Sequence, residues 1–94
     1  MRVRGKIAGI SEAIQGFDGQ KETSVDFPGS SLGDFILHIS WRMDNKTREL
    51  FLLESGEISP DLVTIVNGIA VSGSNRFHLR LKEGDRIELV SSPG

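Results

Sequence analysis

The stretch that most constrains the fold is the last third of the chain, Leu62 to Gly94, LVTIVNGIAVSGSNRFHLRLKEGDRIELVSSPG. Leu62-Val63-Thr64-Ile65-Val66 is β-branched and almost wholly apolar, the composition of a central strand buried on both faces. Asn67-Gly68 closes a tight turn in which glycine supplies a positive φ, and Ile69 to Val71 can add a short return pairing. After the polar Ser72-Gly73-Ser74-Asn75, Phe77, Leu79 and Leu81 alternate with His78, Arg80 and Lys82, the pattern of a strand with one buried face. Glu83-Gly84-Asp85 then turns the chain into a final strand, Arg86 to Val90. That strand runs into a polar tail, Ser91-Ser92-Pro93-Gly94, so the free end is expected to leave the edge of a packed sheet as a flexible arm.

Upstream, Arg2-Val3-Arg4-Gly5-Lys6-Ile7 alternates basic and non-basic residues, which predicts a first strand with a solvated basic row. Such a row invites a phosphate-binding reading, but on an alternating strand it is most simply a wet face. From Gly9 to Thr23 the composition is that of a loop, with Asp18-Gly19 as a turn pair and room for one helical turn at Glu12 to Gln15. Ser24-Val25-Asp26-Phe27 is a second strand, ended by Pro28-Gly29 and expected to pair antiparallel with the first. Ser31-Leu32-Gly33-Asp34 has the form of a capping box and opens a helix whose apolar stripe is Leu32, Phe35, Ile36, Ile39 and Met43. Leu37 and Trp41 fall on the opposite side, where the sheet cannot cover them. Either the following loop folds over Trp41 or the pair is a partner contact, for which an uncovered tryptophan is a good anchor. Asp44-Asn45-Lys46-Thr47 reads as the turn ending the helix, and Leu50 to Leu53 is ambiguous between short helix and strand.

Composition narrows the function classes. With 94 residues the chain can build one core, a single domain spanning 1–94, and no internal repeat suggests a second. Cysteine is absent, which rules out a disulfide, a zinc-thiolate cluster or a cysteine nucleophile. A net charge of −2 predicts no broad attraction to nucleic acid or to an anionic membrane. The N-terminal MRVRGKIAGI interleaves charge with apolar residues, unlike a signal peptide, and nowhere do about 18 apolar residues follow one another. A soluble, cytoplasmic protein is the expectation. His38 and His78 have no partner at metal-ligand spacing, and no nucleophile set or phosphate-cradling glycine loop is present. Neither a metal, a cofactor nor an enzyme's own catalytic residues are expected.

The order of these elements, hairpin, capped helix, buried strand with Asn-Gly and closing strand after Gly-Asp, is that of the ubiquitin-like β-grasp fold. More specifically the sequence resembles the MoaD/ThiS family of small sulfur-carrier proteins, which includes the small subunit of molybdopterin synthase. The resemblance rests on Ser31-Leu32-Gly33-Asp34, on Val66-Asn67-Gly68 and on Leu81-Lys82-Glu83-Gly84-Asp85-Arg86-Ile87-Glu88-Leu89, spread over most of the chain. It implies an α+β fold with a mixed four- to five-stranded sheet, one main helix packed across it and a C-terminal tail, residues 91–94. It also implies a carrier, monomeric when free, whose Gly94 carboxylate is the sulfur attachment point. A ubiquitin-activating-type adenylating enzyme would convert that carboxylate with ATP to an acyl-adenylate, and a sulfur donor would displace AMP to leave a thiocarboxylate for a molybdopterin-type pathway. A synthase large subunit is the further partner implied.

One departure stands out. Members of the family typically finish in Gly-Gly, whereas this sequence, aligned through Gly84-Asp85, runs out at Pro93-Gly94 before the expected pair. The residues after Val90 extend at most about 14 Å, and Pro93 adds bulk where the family has a slender link. The alternative reading is therefore a β-grasp interaction module that has lost sulfur transfer and binds a partner through its sheet face or through Leu37 and Trp41.

Overall fold

A computed structural model describes residues 1–8 and 21–91. The loop after the first strand, with its Asp18-Gly19 turn and the helical turn expected at Glu12 to Gln15, lies outside the described residues, as do Ser92, Pro93 and Gly94. The described elements are β1 (Arg2–Ala8), β2 (Thr23–Asp26), α1 (Leu32–Ser40), α2 (Asn45–Arg48), β3 (Leu62–Val66), β4 (Ile69–Val71), a 3-10 turn at Ser74–His78, and β5 (Arg86–Ser91). The strands form one mixed sheet in the order β2-β1-β5-β3-β4. β1 and β5 pair in parallel, and the other three pairings are antiparallel. The closing strand is thus the middle of the sheet and not an edge.

α1 forms where the capping box predicts. Ser31 Oγ accepts from the Asp34 amide at 3.0 Å, and the Asp34 carboxylate accepts in return from the Ser31 amide at 3.2 Å and the Ser30 amide at 3.1 Å. Two orphan donors of the first turn are satisfied in this way. All five residues of the apolar stripe are buried, and they share one core with Val3, Ile7 and Val25 of the hairpin and Leu62, Ile87 and Leu89 of β3 and β5. Full burial of one such side chain is worth about 1.5–3 kcal/mol. The helix therefore covers one face of the sheet, through contacts that the 3.6-residue period alone selects.

Asn67 (φ 52°) and Gly68 (φ 83°) are both left-handed, the geometry of a two-residue hairpin that matches strand twist. Asn67 also ties this hairpin to the Gly84-Asp85 turn. Its side chain donates to Asp85 Oδ1 at 3.1 Å and accepts from the Arg86 amide at 2.9 Å. The Asn-Gly and Gly-Asp pairs are thereby one hydrogen-bonded corner.

Several expectations are corrected. Ser91 does not begin the tail: it pairs in register with Leu62 as the last residue of β5 and is only 7% exposed. β3 is not buried on both faces, since Val63 is 42% exposed and no described helix lies over its side of the sheet. Phe77 to Leu81 is not a strand. Its alternating apolar residues enter the core from a 3-10 turn, ending at His78, and an extended crossing. The backbone bonds of that crossing go to the helix entrance, from the Leu32 amide to Leu79 O and from the Leu81 amide to Ser30 O. Asp44 to Thr47 does more than end α1, because Asp44 caps a second short helix by accepting from the Thr47 amide at 2.7 Å. In the ambiguous run, Phe51 and Leu52 are buried and Leu50 and Leu53 exposed, with only an isolated bridge from Leu52 to Ile58.

Candidate functional site

The site begins where β5 ends. Arg76, in the 3-10 turn, reaches under this end of the sheet. Its Nη1 donates to Leu62 O at 2.6 Å and to Thr64 Oγ1 at 3.2 Å, and its Nη2 donates to Ser59 O at 2.6 Å. Thr64 Oγ1 can accept because its own proton goes to Val71 O at 2.7 Å. Burial lowers the Arg76 pKa from the usual guanidinium range, yet the group stays charged. One cation thus fixes β3 at the residue paired with Ser91, and so fixes the point from which the chain continues towards Gly94.

The face of the sheet away from α1 changes character along the strands. At one end Glu22 bridges Arg4 (3.4 Å) and Arg86 (3.2 Å), while Asp26 meets Arg2 at 3.9 Å. The basic row read from the first strand is therefore largely neutralised by its neighbours. At the end where β5 finishes, the register aligns Ala8, Val90 and Val63 in one row, followed by Ile65 beside Ala70. Alternation points these side chains away from α1. The result is an apolar strip one residue short of Ser91, with Lys6 and Glu88 paired across its border.

On the opposite side of the molecule Trp41 is 79% exposed and Leu37 37%. The loop after α1 does not fold over the indole. Instead Arg48 lies across it with its guanidinium carbon 5.7 Å from the ring centroid. That guanidinium is held by Ser40 O and Met43 O, both at 3.1 Å, so it closes the carbonyl end of α1 as well. His38 sits between the Phe27 ring and Arg42, and His78 packs edge-on against Phe77. The two histidines do not converge. Among the described residues no group of three His, Cys, Asp or Glu side chains could hold a metal. A groove of about 780 Å³, lined in part by Leu53, Ile58, Pro60, Arg76, Phe77 and His78, lies beside the 3-10 turn. Among the described residues no helix is long and apolar enough to cross a membrane.

No protein-family model matches the chain, and no curated protein does. Among solved structures it is similar to the solution structure of the Haloferax volcanii HVO 2177 protein, with a TM-score of 0.70 at 18% identity over 100% of this chain and 87% of that one. The two share a fold. It is a small α+β arrangement of a mixed five-stranded sheet with one main helix.

Of the residues singled out from the sequence, Leu37 and Trp41 lie together on the surface and Ser91 lies in β5. Ser92, Pro93 and Gly94 fall outside the described residues. Three features had no sequence reading: the Arg76 clamp, the groove and the apolar end of the open face. The last was within reach, since a valine and an isoleucine at alternate positions of β3 must both face away from the helix if Leu62 and Thr64 face it.

Proposed function

We propose that this chain is a sulfur carrier of the MoaD/ThiS type on a ubiquitin-like β-grasp fold, with Gly94 as the attachment residue. The observation that carries this reading is the strand order β2-β1-β5-β3-β4 with a parallel pair at its centre, which puts the end of the last strand beside the apolar strip of the open face. Gly94 stands at most about 10 Å from Ser91. A partner seated on Ala8, Val90 and Val63 would therefore have the terminal carboxylate within its own active site.

The carboxylate is a poor electrophile until ATP converts it to an acyl-adenylate with release of pyrophosphate. A sulfur nucleophile then attacks the acyl carbon and expels AMP. The partners in this scheme are a ubiquitin-activating-type adenylating enzyme and a synthase large subunit, and the carrier adds reach, not a catalytic side chain. Such a reaction fits the cytoplasm, where ATP and reduced sulfur meet. Intact-mass spectrometry after incubation with ATP, a sulfur donor and an activating enzyme should show a gain of about 16 Da, oxygen replaced by sulfur at the acyl carbon. A mass unchanged under conditions that convert a diglycine-tailed carrier would reject the proposal.

A second reading, an interaction module without sulfur transfer, is favoured by the exposure of Trp41. It predicts a stable complex with a partner and no mass gain.

A further inference from the structure

Two clusters of cations differ in how they are paired. Arg2, Arg4 and Arg86 on the open sheet face are bridged by Asp26 and Glu22. Arg42, Lys46 and Arg48, around the carbonyl end of α1, lie within salt-bridge distance of no carboxylate among the described residues. Asp44, which caps α2 through the Thr47 amide, feels the fields of Lys46 and Arg48 without forming an ion pair with either. In a chain of net charge −2 this is a local cationic surface, and at its centre stands the most exposed large apolar side chain among the described residues, Trp41.

The indole is also held ready. Arg48 is anchored at all three of its guanidinium nitrogens, to Ser40 O, Met43 O and Asn45 Oδ1, and it backs one side of the ring. Leu37, one turn earlier, extends the apolar surface. A fixed aromatic anchor rimmed by cations that form no ion pair, Arg42, Lys46 and Arg48, favours a ligand with an apolar side chain set among carboxylates. Nucleic acid offers no aliphatic counterpart to Leu37. A second copy docked two-fold on this surface would set the same cations against each other.

We infer that the α1 face formed by Leu37 and Trp41, with Arg42 and Arg48 at its rim, docks an acidic, leucine- or phenylalanine-bearing segment of a partner protein. The inference rests on the contact surface of the second reading above and is independent of tail chemistry.

Trp41 is the only tryptophan in the chain, so its fluorescence reports this surface alone. The full chain is titrated with a panel of short Asp/Glu-rich peptides carrying Leu and Phe at helical spacing, with the same peptides rewritten in Lys, and with an oligothymidylate. A saturable blue shift is expected from acidic peptides only, with affinity falling about tenfold or more as salt rises. Arg42→Glu should weaken binding about tenfold while leaving thermal melting unchanged. No shift across the acidic panel, an equal shift from the Lys peptides, a stronger response to the oligonucleotide, or a shift with protein concentration alone would each overturn it. A partner complex lost in Trp41→Ala yet indifferent to Arg42→Glu and salt would preserve the contact surface and reject its acidic ligand.

Discussion

At the scale of single residues, Gly33 and Asp34 show how one motif does two jobs. A methyl group placed on Gly33 would come within 2.5 Å of the Phe77 ring, so the glycine lets the 3-10 turn lie against the helix. Alanine gains about 1 kcal/mol in helix propensity, but displacing a packed ring costs about 1–3 kcal/mol. Gly33→Ala should therefore lower stability in urea unfolding, whereas in a Phe77→Ala background the same change should raise it. Asp34 carries the charge of the cap. Its pKa is lowered, first by the Ser30 amide, against a smaller opposing effect of burial and with further help from Ser31 and the field of His78. The Thr47 amide lowers that of Asp44. As pH falls, the unfolded chain takes up these protons first, so the stabilisation is whole above about pH 4 and is lost as pH drops through the folded values. Melting temperatures should separate wild type from Asp34→Asn at neutral pH and converge as pH falls through the lowered folded value of Asp34. A gap that persists unchanged in acid would mean that the carboxylate's charge is not its source.

At the scale of elements, long-range bonds matter most where local pattern is silent. The capping box, the buried stripe of α1 and the Asn-Gly hairpin were legible because each is decided within a few residues by period or turn chemistry, and the β1–β2 pairing because both strands alternate. Phe77 to Leu81 was misread as a strand because alternation records only which side chains are buried, and this segment buries them while Leu79 O accepts from, and the Leu81 amide donates to, the helix entrance. β3 was misread as doubly buried because composition cannot say whether a second layer of helices exists to cover it. The Arg76 clamp was invisible for another reason: two of its three acceptors are backbone carbonyls, which every residue has. Arg76→Met should leave Ser59 O and Leu62 O without their donor and cost about 2–3 kcal/mol in urea unfolding. Arg76→Lys should recover little, since an ammonium lacks the fork that reaches both carbonyls. Amide exchange should quicken first where β3 meets Ser91, and uniform acceleration over the whole sheet would argue against a local clamp.

At the scale of the whole molecule, the apolar strip of the sheet and the surface formed by Leu37 and Trp41 lie on opposite sides of a single core, and of these two the strip borders the end of β5. The proposed tail chemistry and the proposed acidic docking are therefore separable by mutation. Val63→Asp places a carboxylate in the row with Val90 and Ala8, on a side chain already 42% exposed, so the fold should survive. Docking of an activating enzyme would then bury an unpaired charge, at a cost of several kcal/mol, and the rate of mass gain at Gly94 should fall by more than about tenfold. Trp41→Ala, across the core, should leave that rate within about twofold, because it touches no part of the surface the carboxylate must approach. Single-turnover intact-mass measurements on both variants decide the matter. Loss of conversion in Trp41→Ala with retention in Val63→Asp would move the activating enzyme to the helix face, and the open end of the sheet would need another explanation.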